Sequence, residues 1–511
     1  MALLPRSFPT VVHMLQEAAR QAGDHEALVS EGERLTYADY QSCAAGFAEE
    51  LIRLGAAGER VALLMGNSID LCIALFGTHA AQAVTVPLNP AYTERELRQI
   101  LTDAQPHVLL YDSVSAAVAA PLAAELKVPH VMRIGEAGRR LDAWRGKGLA
   151  LPPLPTPEQT ACVQYTGGTT GRSKGVQLSH RSMAINVAQR EAVLPTRTGI
   201  ERLLCVMPLF HTYANAMCLL NMAACRGTLA LVPRYNAETL LQLLVTERIT
   251  IFAGSPTLFT SLMNSAEFAK ADFSTLHVSY SGSSALPEAL FKRWEEATGA
   301  PVVEGYGQTE SGPVVSFNPL SGVRKPASVG VPLPETEVQI VDLASGETVL
   351  PVGERGEIRV RGPQVMNGYR NLPAETAAAL RGGWLYTGDI GEFDADGYLY
   401  IRDRKKEMIK VSGFNVFPRE VEEVLYAHPM VSEAAVIGLP DARKGERVLA
   451  YAVLRRDAAI DAAALIDYCR QQLAGYKVPG EIRIVDALPK TRVGKADKLR
   501  MRDIALANAS N

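Results

Sequence analysis

LALVPRYNAETLLQLLVTERITIFA, residues 229–253, opens on a short apolar run, turns at Pro233, offers Asn236 as a helix cap and closes on a second apolar run from Ile249. Between the runs, Leu240, Leu244 and Val245 fall on one face of a helix that extends through Glu247. A strand, a crossover helix and a second strand of this length make a βαβ unit with parallel strands. Similar apolar runs at 60–65, 84–88 and 108–111 alternate with helical patterns, so the predicted fold class is α/β with largely parallel sheets. The chain of 511 residues exceeds what one core encloses, and about two to four structural units are expected.

The rest of the composition narrows the class. With 47% apolar residues, 21% charged residues and a net charge of −3, the chain is neither disordered nor a small disulfide scaffold. The seven cysteines, at 43, 72, 162, 205, 218, 225 and 469, are odd in number, include no C-x-x-C pair and sit mostly among apolar neighbours. They read as reduced thiols of a cytoplasmic protein. Pro5, Arg6 and Glu17 interrupt the N-terminus before a signal-type stretch forms, so no targeting peptide is expected. The uncharged run 71–93 holds His79, Gln82, Pro87, Asn89 and Pro90, which suits a buried helix followed by a strand better than a transmembrane segment. A pI near 6.4 argues against a nucleic-acid partner. Residues 404–511 nevertheless carry 19 Lys and Arg against 14 Asp and Glu. The run RDRKKE at 402–407 reads as a solvated face, or as the edge of a small basic lid over a polyanionic ligand.

The chemistry concentrates in a few segments. YTGGTTGRSKG at 165–175 follows a strand-like run and precedes a helix pattern after Ser179. Small residues that let backbone N–H groups approach, hydroxyl donors and Lys174 together make a phosphate cradle, although the spacing is not that of a Walker A loop. Three further segments follow in order: EGYGQTES from Glu304, YTGDIGEFDADGYLYIRDRKKEMIKVSGFNVFPREVE from Tyr386, and LPKTRVGK from Leu488. The turn DADG at 394–397 is a tight hairpin by its own residues. GYGQTE also matches a dinucleotide fingerprint, but Glu310 stands where its third glycine belongs.

These four segments resemble those of the AMP-forming adenylate-forming enzymes, the superfamily of acyl-CoA synthetases, peptide-synthetase adenylation domains and firefly luciferase. The flavour is closest to fatty acyl-CoA synthetases, with Gly167 where other members have serine and with Ser173 replacing the usual proline. The resemblance implies a large N-terminal domain, residues 1–403, of two doubly wound α/β halves plus a small β-barrel-like part. A small mobile α+β C-terminal domain, residues 404–511, would follow, with the active site between them. It implies an acid–thiol ligase that uses ATP, Mg2+ and coenzyme A.

By the same resemblance, Thr166, Gly168, Thr169, Thr170 and Lys174 contact the β- and γ-phosphates. Thr309 contacts the α-phosphate and Glu310 is both catalytic and the magnesium ligand. Ser283, Ser284 and the strand end Glu304-Gly305-Tyr306 form the adenine slot, with Tyr306 stacking on the base. Asp389 accepts the ribose hydroxyls and Arg404 makes a second ribose contact. Lys495 bridges the substrate carboxylate and the α-phosphate, and Lys406 is the hinge about which the C-terminal domain turns. After that turn Lys410, Ser412, Gly413 and Phe414 line the pantetheine tunnel. His211 gates the acyl site, and Ser255, Gly282, Gly307 and Val314 line it.

No cation suggests itself for a second substrate carboxylate, so the sequence favours an apolar monocarboxylate, a medium- or long-chain fatty acid. An aryl acid of the benzoate or cinnamate type is the runner-up. Delivery to a carrier protein stays open as a second reading, though no carrier module is present. A luciferase-type oxygenase and a silent acyl-nucleotide binding protein are more remote. Peripheral membrane contact and a homodimer are left open, with no nucleic acid as partner.

Overall fold

The unit at 229–253 folds as strand Thr228–Leu231, helix Ala237–Thr246 and strand Ile251–Gly254. The Asn236 side chain accepts the Thr239 N–H at 2.9 Å and so closes the first turn. Leu240, Leu241 and Leu244 are buried, whereas Val245 is 38% exposed. The expected apolar face is therefore corrected at one position: the helix ends one residue after Val245, which lies at the rim. Nor are the two strands neighbours, because Arg202–Cys205 runs parallel between them.

This chain, seen in a computed structural model, is described for residue 4 and residues 7–135, 138–166, 173–283, 286–412, 414–441, 443–456, 458–491 and 496–509. The βαβ unit belongs to a nine-stranded sheet whose middle strands, from Glu26–Ser30 across to Val302–Gly307, are parallel. Antiparallel strands close both edges. A seven-stranded sheet holds Arg60–Leu64, Val84–Leu88, Val108–Tyr111, His130–Arg133 and Thr160–Thr166 in parallel, to which Lys174–Ser179 and then Gly368–Tyr369 are added, each antiparallel to the strand before it. One apolar core joins the two sheets, drawing Val61 and Leu63 from one and Leu203, Leu229 and Ile251 from the other. The uncharged run at 71–93 supplies the helix Ile69–Ala80, buried on every side as an all-round apolar helix must be, and then the strand Val84–Leu88. Among the described residues, no helix is long and apolar enough to cross a membrane.

A third sheet, antiparallel, takes the barrel-like place with Glu337–Val341, Gly356–Arg361, Trp384–Phe393, Leu380–Arg381 and Leu399–Arg404. Its hairpin turn is the DADG segment, where the Asp394 carboxylate accepts the N–H groups of Asp396 and Tyr398 at 3.0 and 2.9 Å. Every strand of the fourth sheet lies beyond residue 408. Ile409–Val411, Phe414–Val416, Val431–Asp441, Gly445–Leu454 and Glu481–Ile484 pack helices Pro418–Ala427 and Ala462–Gln472 on one face and Lys498–Ala509 on the other. The architecture is thus α/β, with a large N-terminal part and a small α+β C-terminal part. All seven cysteines are buried, free thiols.

Candidate active site

Strand Thr160–Thr166 leads into the glycine-rich loop and strand Lys174–Ser179 leads out, with Thr166 paired to Lys174 across the antiparallel ladder. Gly168, Thr169 and Thr170 lie outside the described residues, so the loop is known here by its frame. Tyr165 anchors that frame by donating to Asp103 at 2.6 Å. The Lys174 ammonium stands 5.0 Å from the centre of the Tyr369 ring, a cation–π distance. The Tyr369 hydroxyl in turn donates to Glu310 Oε1 at 3.0 Å. Burial pushes the Glu310 carboxyl up from its ordinary range, against the opposing pull of Tyr369 and Lys174. Lys174 and Glu310, 136 positions apart in the chain, are thus joined through a tyrosine that sequence reasoning missed. Nothing in the stretch MNGYRN at 366–371 separates Tyr369 from a core aromatic.

Thr309 and Glu310 ride on a tight turn between strands Val302–Gly307 and Val314–Phe317. Gly307 has to be glycine, since a Cβ there would fall 1.8 Å from the Pro313 carbonyl oxygen. Gly312, at φ +95°, lies so close to Gln364 that a Cβ would stand 2.2 Å from its carbonyl oxygen. The Ser311 hydroxyl accepts from the Gln308 N–H at 3.0 Å and lies 2.8 Å from the Pro313 carbonyl, which pins the turn from inside. Thr309 is buried, with its hydroxyl 3.1 Å from that of Thr212.

The nucleotide-facing expectations meet where strand Val302–Gly307 approaches the third sheet. Tyr306 donates its hydroxyl to Asp389 Oδ2 at 2.7 Å, and the Arg404 Nε stands 3.5 Å from Asp389 Oδ1. Asp389 and Arg404 are cross-strand partners in the third sheet. Gly305 packs on the Phe317 ring. Glu304 points elsewhere: its side chain is 3% exposed and accepts the Leu286 N–H at 2.9 Å. Burial pushes its carboxyl up to about 7, against the lowering pull of Arg419. Ser283 holds a left-handed backbone at φ +71°, and Ser284 lies outside the described residues.

The acyl-site expectations gather around the segment from His211. His211 Nδ1 accepts the Tyr213 N–H at 3.2 Å, and the Tyr213 ring presses on Gly282. Ser255 precedes helix Pro256–Met263. The Val314 backbone exchanges two hydrogen bonds with the Asn186 side chain, at 2.9 and 3.0 Å. One turn after Asn186 on helix His180–Val193 stands Arg190, 1% exposed, its guanidinium carbon 5.8 Å from the centre of the Tyr280 ring. Its burial leaves no mark in the local sequence pattern.

The C-terminal residues stand on the fourth sheet. Lys410 is exposed and donates its N–H to Glu446 at 2.8 Å; Ser412, at φ +51°, donates its own to the Lys444 carbonyl at 2.7 Å. Phe414 is 58% exposed and stacks on Tyr476 at 4.8 Å. Lys406 is exposed. Gly413 and Lys495 lie outside the described residues; Lys490 and Ala496 form an antiparallel bridge. A cavity of about 400 Å³ opens between Gly32, Arg34, Ile69, Asp142 and Arg145, among none of these residues.

Residues 15–370 match the family described as AMP-binding enzyme, and residues 420–495 match the AMP-binding enzyme C-terminal domain. A long-chain-fatty-acid–CoA ligase of Escherichia coli is 36% identical over 99% of this chain and 96% of its own length. Among solved structures, ATP-bound MatB from Rhodopseudomonas palustris superposes with a TM-score of 0.90 at 32% identity, covering 96% of this chain and 98% of that one. The anthranilate CoA ligase AuaEII, in complex with anthranoyl-AMP, reaches a TM-score of 0.92 at 29% identity over 99% of both chains.

Proposed function

The chain belongs to the AMP-binding enzyme family, and from that premise we propose that it is an AMP-forming carboxylic acid:CoA ligase. A carboxylate oxygen attacks the α-phosphorus of ATP, and diphosphate leaves. The CoA thiolate then attacks the acyl carbon of the resulting acyl-adenylate, and AMP leaves. Step one sets an anionic carboxylate against a triphosphate, so the protein's work is positioning and charge neutralisation. The observation that carries this reading is the pairing of two clusters at either end of one strand-turn: Lys174–Tyr369–Glu310 and Tyr306–Asp389–Arg404.

In this reading Thr166, Gly168, Thr169, Thr170 and Lys174 hold the β- and γ-phosphates, and Thr309 the α-phosphate. Asp389, held in place by Tyr306, accepts the ribose hydroxyls beside Arg404. Tyr306 is a part of the ribose clamp as well as a wall for the base. Glu304 supports the slot from behind by bonding Leu286, with Gly305, Ser283 and Ser284 forming its surface. Among the described residues, no cluster of three or more His, Cys, Asp or Glu could hold a metal alone. A single recessed carboxylate with raised proton affinity, Glu310, fits a magnesium ion shared with phosphate oxygens and water. When bound, that ion neutralises phosphate charge.

Lys495 bridges the carboxylate and the α-phosphate. A turn at Lys406, between domains 1–403 and 404–511, exchanges it for Lys410, Ser412, Gly413 and Phe414 beside the pantetheine arm. The CoA thiol needs no dedicated base, being partly ionised at neutral pH. The relatives' names support a medium- or long-chain fatty acid as substrate, entering past His211 between Ser255, Gly282, Gly307 and Val314. The buried thiols support a reducing, cytoplasmic setting.

The test is incubation of the purified protein with Mg-ATP, CoA and a panel of fatty, aryl and dicarboxylic acids, read by mass spectrometry. Acyl-CoA with AMP is the expected result. Acyl-AMP without thioester would move the acceptor to a carrier protein or oxygen, and neither product from any acid would overturn the reading.

A further inference from the structure

Tyr369 stands between the two opposite charges at the phosphate end of the site. The Lys174 ammonium lies 5.0 Å from the centre of its ring, and its hydroxyl donates to Glu310 Oε1 at 3.0 Å. Neither contact decides where the ring lies, because the backbone around it is held independently. Gly368 and Tyr369 pair with Gln177 and Val176 of strand Lys174–Ser179. The Asn367 N–H bonds the Gln177 carbonyl at 2.9 Å and the Arg370 N–H the Gly175 carbonyl at 2.7 Å, while the Met366 N–H reaches the Glu310 carbonyl at 2.9 Å. The Tyr369 N–H donates to Thr376 Oγ1 at 2.9 Å. Asp103 gathers the far end of the segment. Its carbonyl accepts from Arg370 Nε at 3.0 Å, and its carboxylate accepts from Asn371 at 3.2 Å and from the Tyr165 hydroxyl at 2.6 Å. One short segment is therefore sewn to the frame of the glycine-rich loop and to the Glu310 turn at once, with the tyrosine side chain fixed between them.

The two charges feel each other across this gap: burial raises the Glu310 carboxyl, and Tyr369 and Lys174 pull it back. A carboxylate and an ammonium in a recessed site close to a direct ion pair when nothing holds them apart, since their attraction grows as water is excluded. Such a pair would compete with the nucleotide twice over, because phosphate oxygens need the ammonium and magnesium needs the carboxylate. Separating it again would leave each charge uncompensated and lower affinity. A neutral hydroxyl and a ring face cost less to give up. We propose that Tyr369 is a positioning residue that keeps Lys174 and Glu310 from pairing with each other, so that each charge stands ready for its own part of Mg-ATP. The inference rests on the acyl-CoA ligase reading and deepens it at the phosphate end.

The experiment measures the Kd for ATP by calorimetry, in EDTA and in Mg2+, for the wild-type protein, Tyr369→Leu, Glu310→Gln and the double variant. Metal-free ATP calls on Lys174 without calling on Glu310 as a metal ligand, so it reports whether the ammonium is available. Tyr369→Leu lets the two charges close on each other and is expected to weaken ATP in both media by about tenfold or more, the worth of a hydrogen bond to a charged group. Tyr369→Phe keeps the ring beside Lys174 and loses only part of that. Removing the carboxylate then releases Lys174. In EDTA, Glu310→Gln should raise affinity about tenfold more in the Tyr369→Leu background than in the wild-type background. Misfolded protein lowers the number of sites per chain and leaves the Kd where it was, and a merely structural tyrosine would give the same gain in both backgrounds. Equal gains, or a Kd for Mg-ATP untouched by Tyr369→Leu, would overturn the inference and leave the ligase reading intact. A wild-type protein that binds no ATP in either medium and forms no acyl-CoA would overturn the ligase reading itself, and this inference with it.

Discussion

Replacing Glu304 by glutamine should make the protein more stable in mildly alkaline solution, although it removes a charged residue from a strand beside the candidate site. The Glu304 carboxyl is buried and bonded only lightly, to the Leu286 N–H at 2.9 Å. Burial raises its pKa from 4.5 to about 7, with Arg419 pulling the other way and Glu423 adding to the rise. Because the folded protein holds this proton more tightly than the unfolded chain, the stabilisation is complete below the unfolded value near 4.5 and is lost as the pH rises through about 7. The loss above that pH is about 3 kcal/mol. Glu304→Gln keeps the acceptor oxygen for Leu286 and cannot ionise, so this slope disappears. Its new amide N–H groups cost about 1–2 kcal/mol if left unmatched, which leaves a net gain of about 1–2 kcal/mol at pH 8 and a small loss at pH 5.

The assay is denaturant unfolding of both proteins across this pH range. Trp294 is fully buried on the helix that follows Leu286 and donates to Ser279, so its fluorescence reports on this half of the molecule. Asp403 is also pushed up to about 7 by burial, opposed by Lys498. It tilts both proteins alike and drops out of the difference. Parallel pH slopes for wild type and variant, or a variant that loses more stability at pH 8 than at pH 5, would refute the reasoning.

Lys495→Ala is expected to lower adenylate formation by about 10²–10³-fold, yet to leave conversion of a supplied acyl-adenylate and CoA to thioester in place; equal loss of both half-reactions in single-turnover assays would remove the domain-turn assignment. Asp389→Ala should raise the KM for ATP by about 10- to 100-fold through lost charge-assisted hydrogen bonds, and a KM that stays put under steady-state kinetics would take Asp389 out of the ribose contact. Gly307→Ala puts a Cβ 1.8 Å from the Pro313 carbonyl oxygen. It should cost about 1–3 kcal/mol of stability and displace Thr309 and Glu310, so ATP–pyrophosphate exchange falls in protein that still melts cooperatively. Normal exchange would show that the turn gives way without moving them.

What could be read from the sequence was local. The cap at Asn236, the buried helix of the run at 71–93 and the DADG hairpin each declare themselves within a few residues, where side chain and backbone meet directly. The glycine loop was legible because its composition has few other uses. The pairs that build the site were not. Tyr306 meets Asp389 across 83 positions, and Tyr369 meets Glu310 across 59. A tyrosine's partner depends on how two sheets come together, which no local window contains. Glu304 shows the same limit from the other side: its place in a motif suggested a surface, and strand alternation turned its side chain into the core. The helix at 237–246 was drawn with Val245 inside because periodicity gives an azimuth and says nothing of where the helix stops covering the sheet.

The proposed division at 403/404 acquires a physical basis from how the apolar cores partition. Ile409 and everything packed with it form clusters of their own, and the clusters of the first three sheets reach no further than Ile401. What crosses the boundary is polar. Arg419 donates its N–H to Asp403 at 3.1 Å and a guanidinium N–H to the Ile401 carbonyl at 2.7 Å. Arg355 pairs with Glu420 and lies over Phe417. The Arg355–Glu420 pair, partly exposed, is worth about 0–1 kcal/mol, so exchanging such a contact for another costs less than opening a hydrophobic core would. In the proposed reading, Asp389 and Arg404 also tie this joint to the nucleotide. Asp389 faces Arg404 across the ladder, and the Lys405 N–H continues it to the Gly388 carbonyl at 2.9 Å. A ligand that takes hold of Asp389 and Arg404 therefore grips the strand immediately before Lys406. A turn at that residue can begin only where this ladder ends, and this is why ribose contact and domain orientation should respond together when either Asp389 or Arg404 is changed.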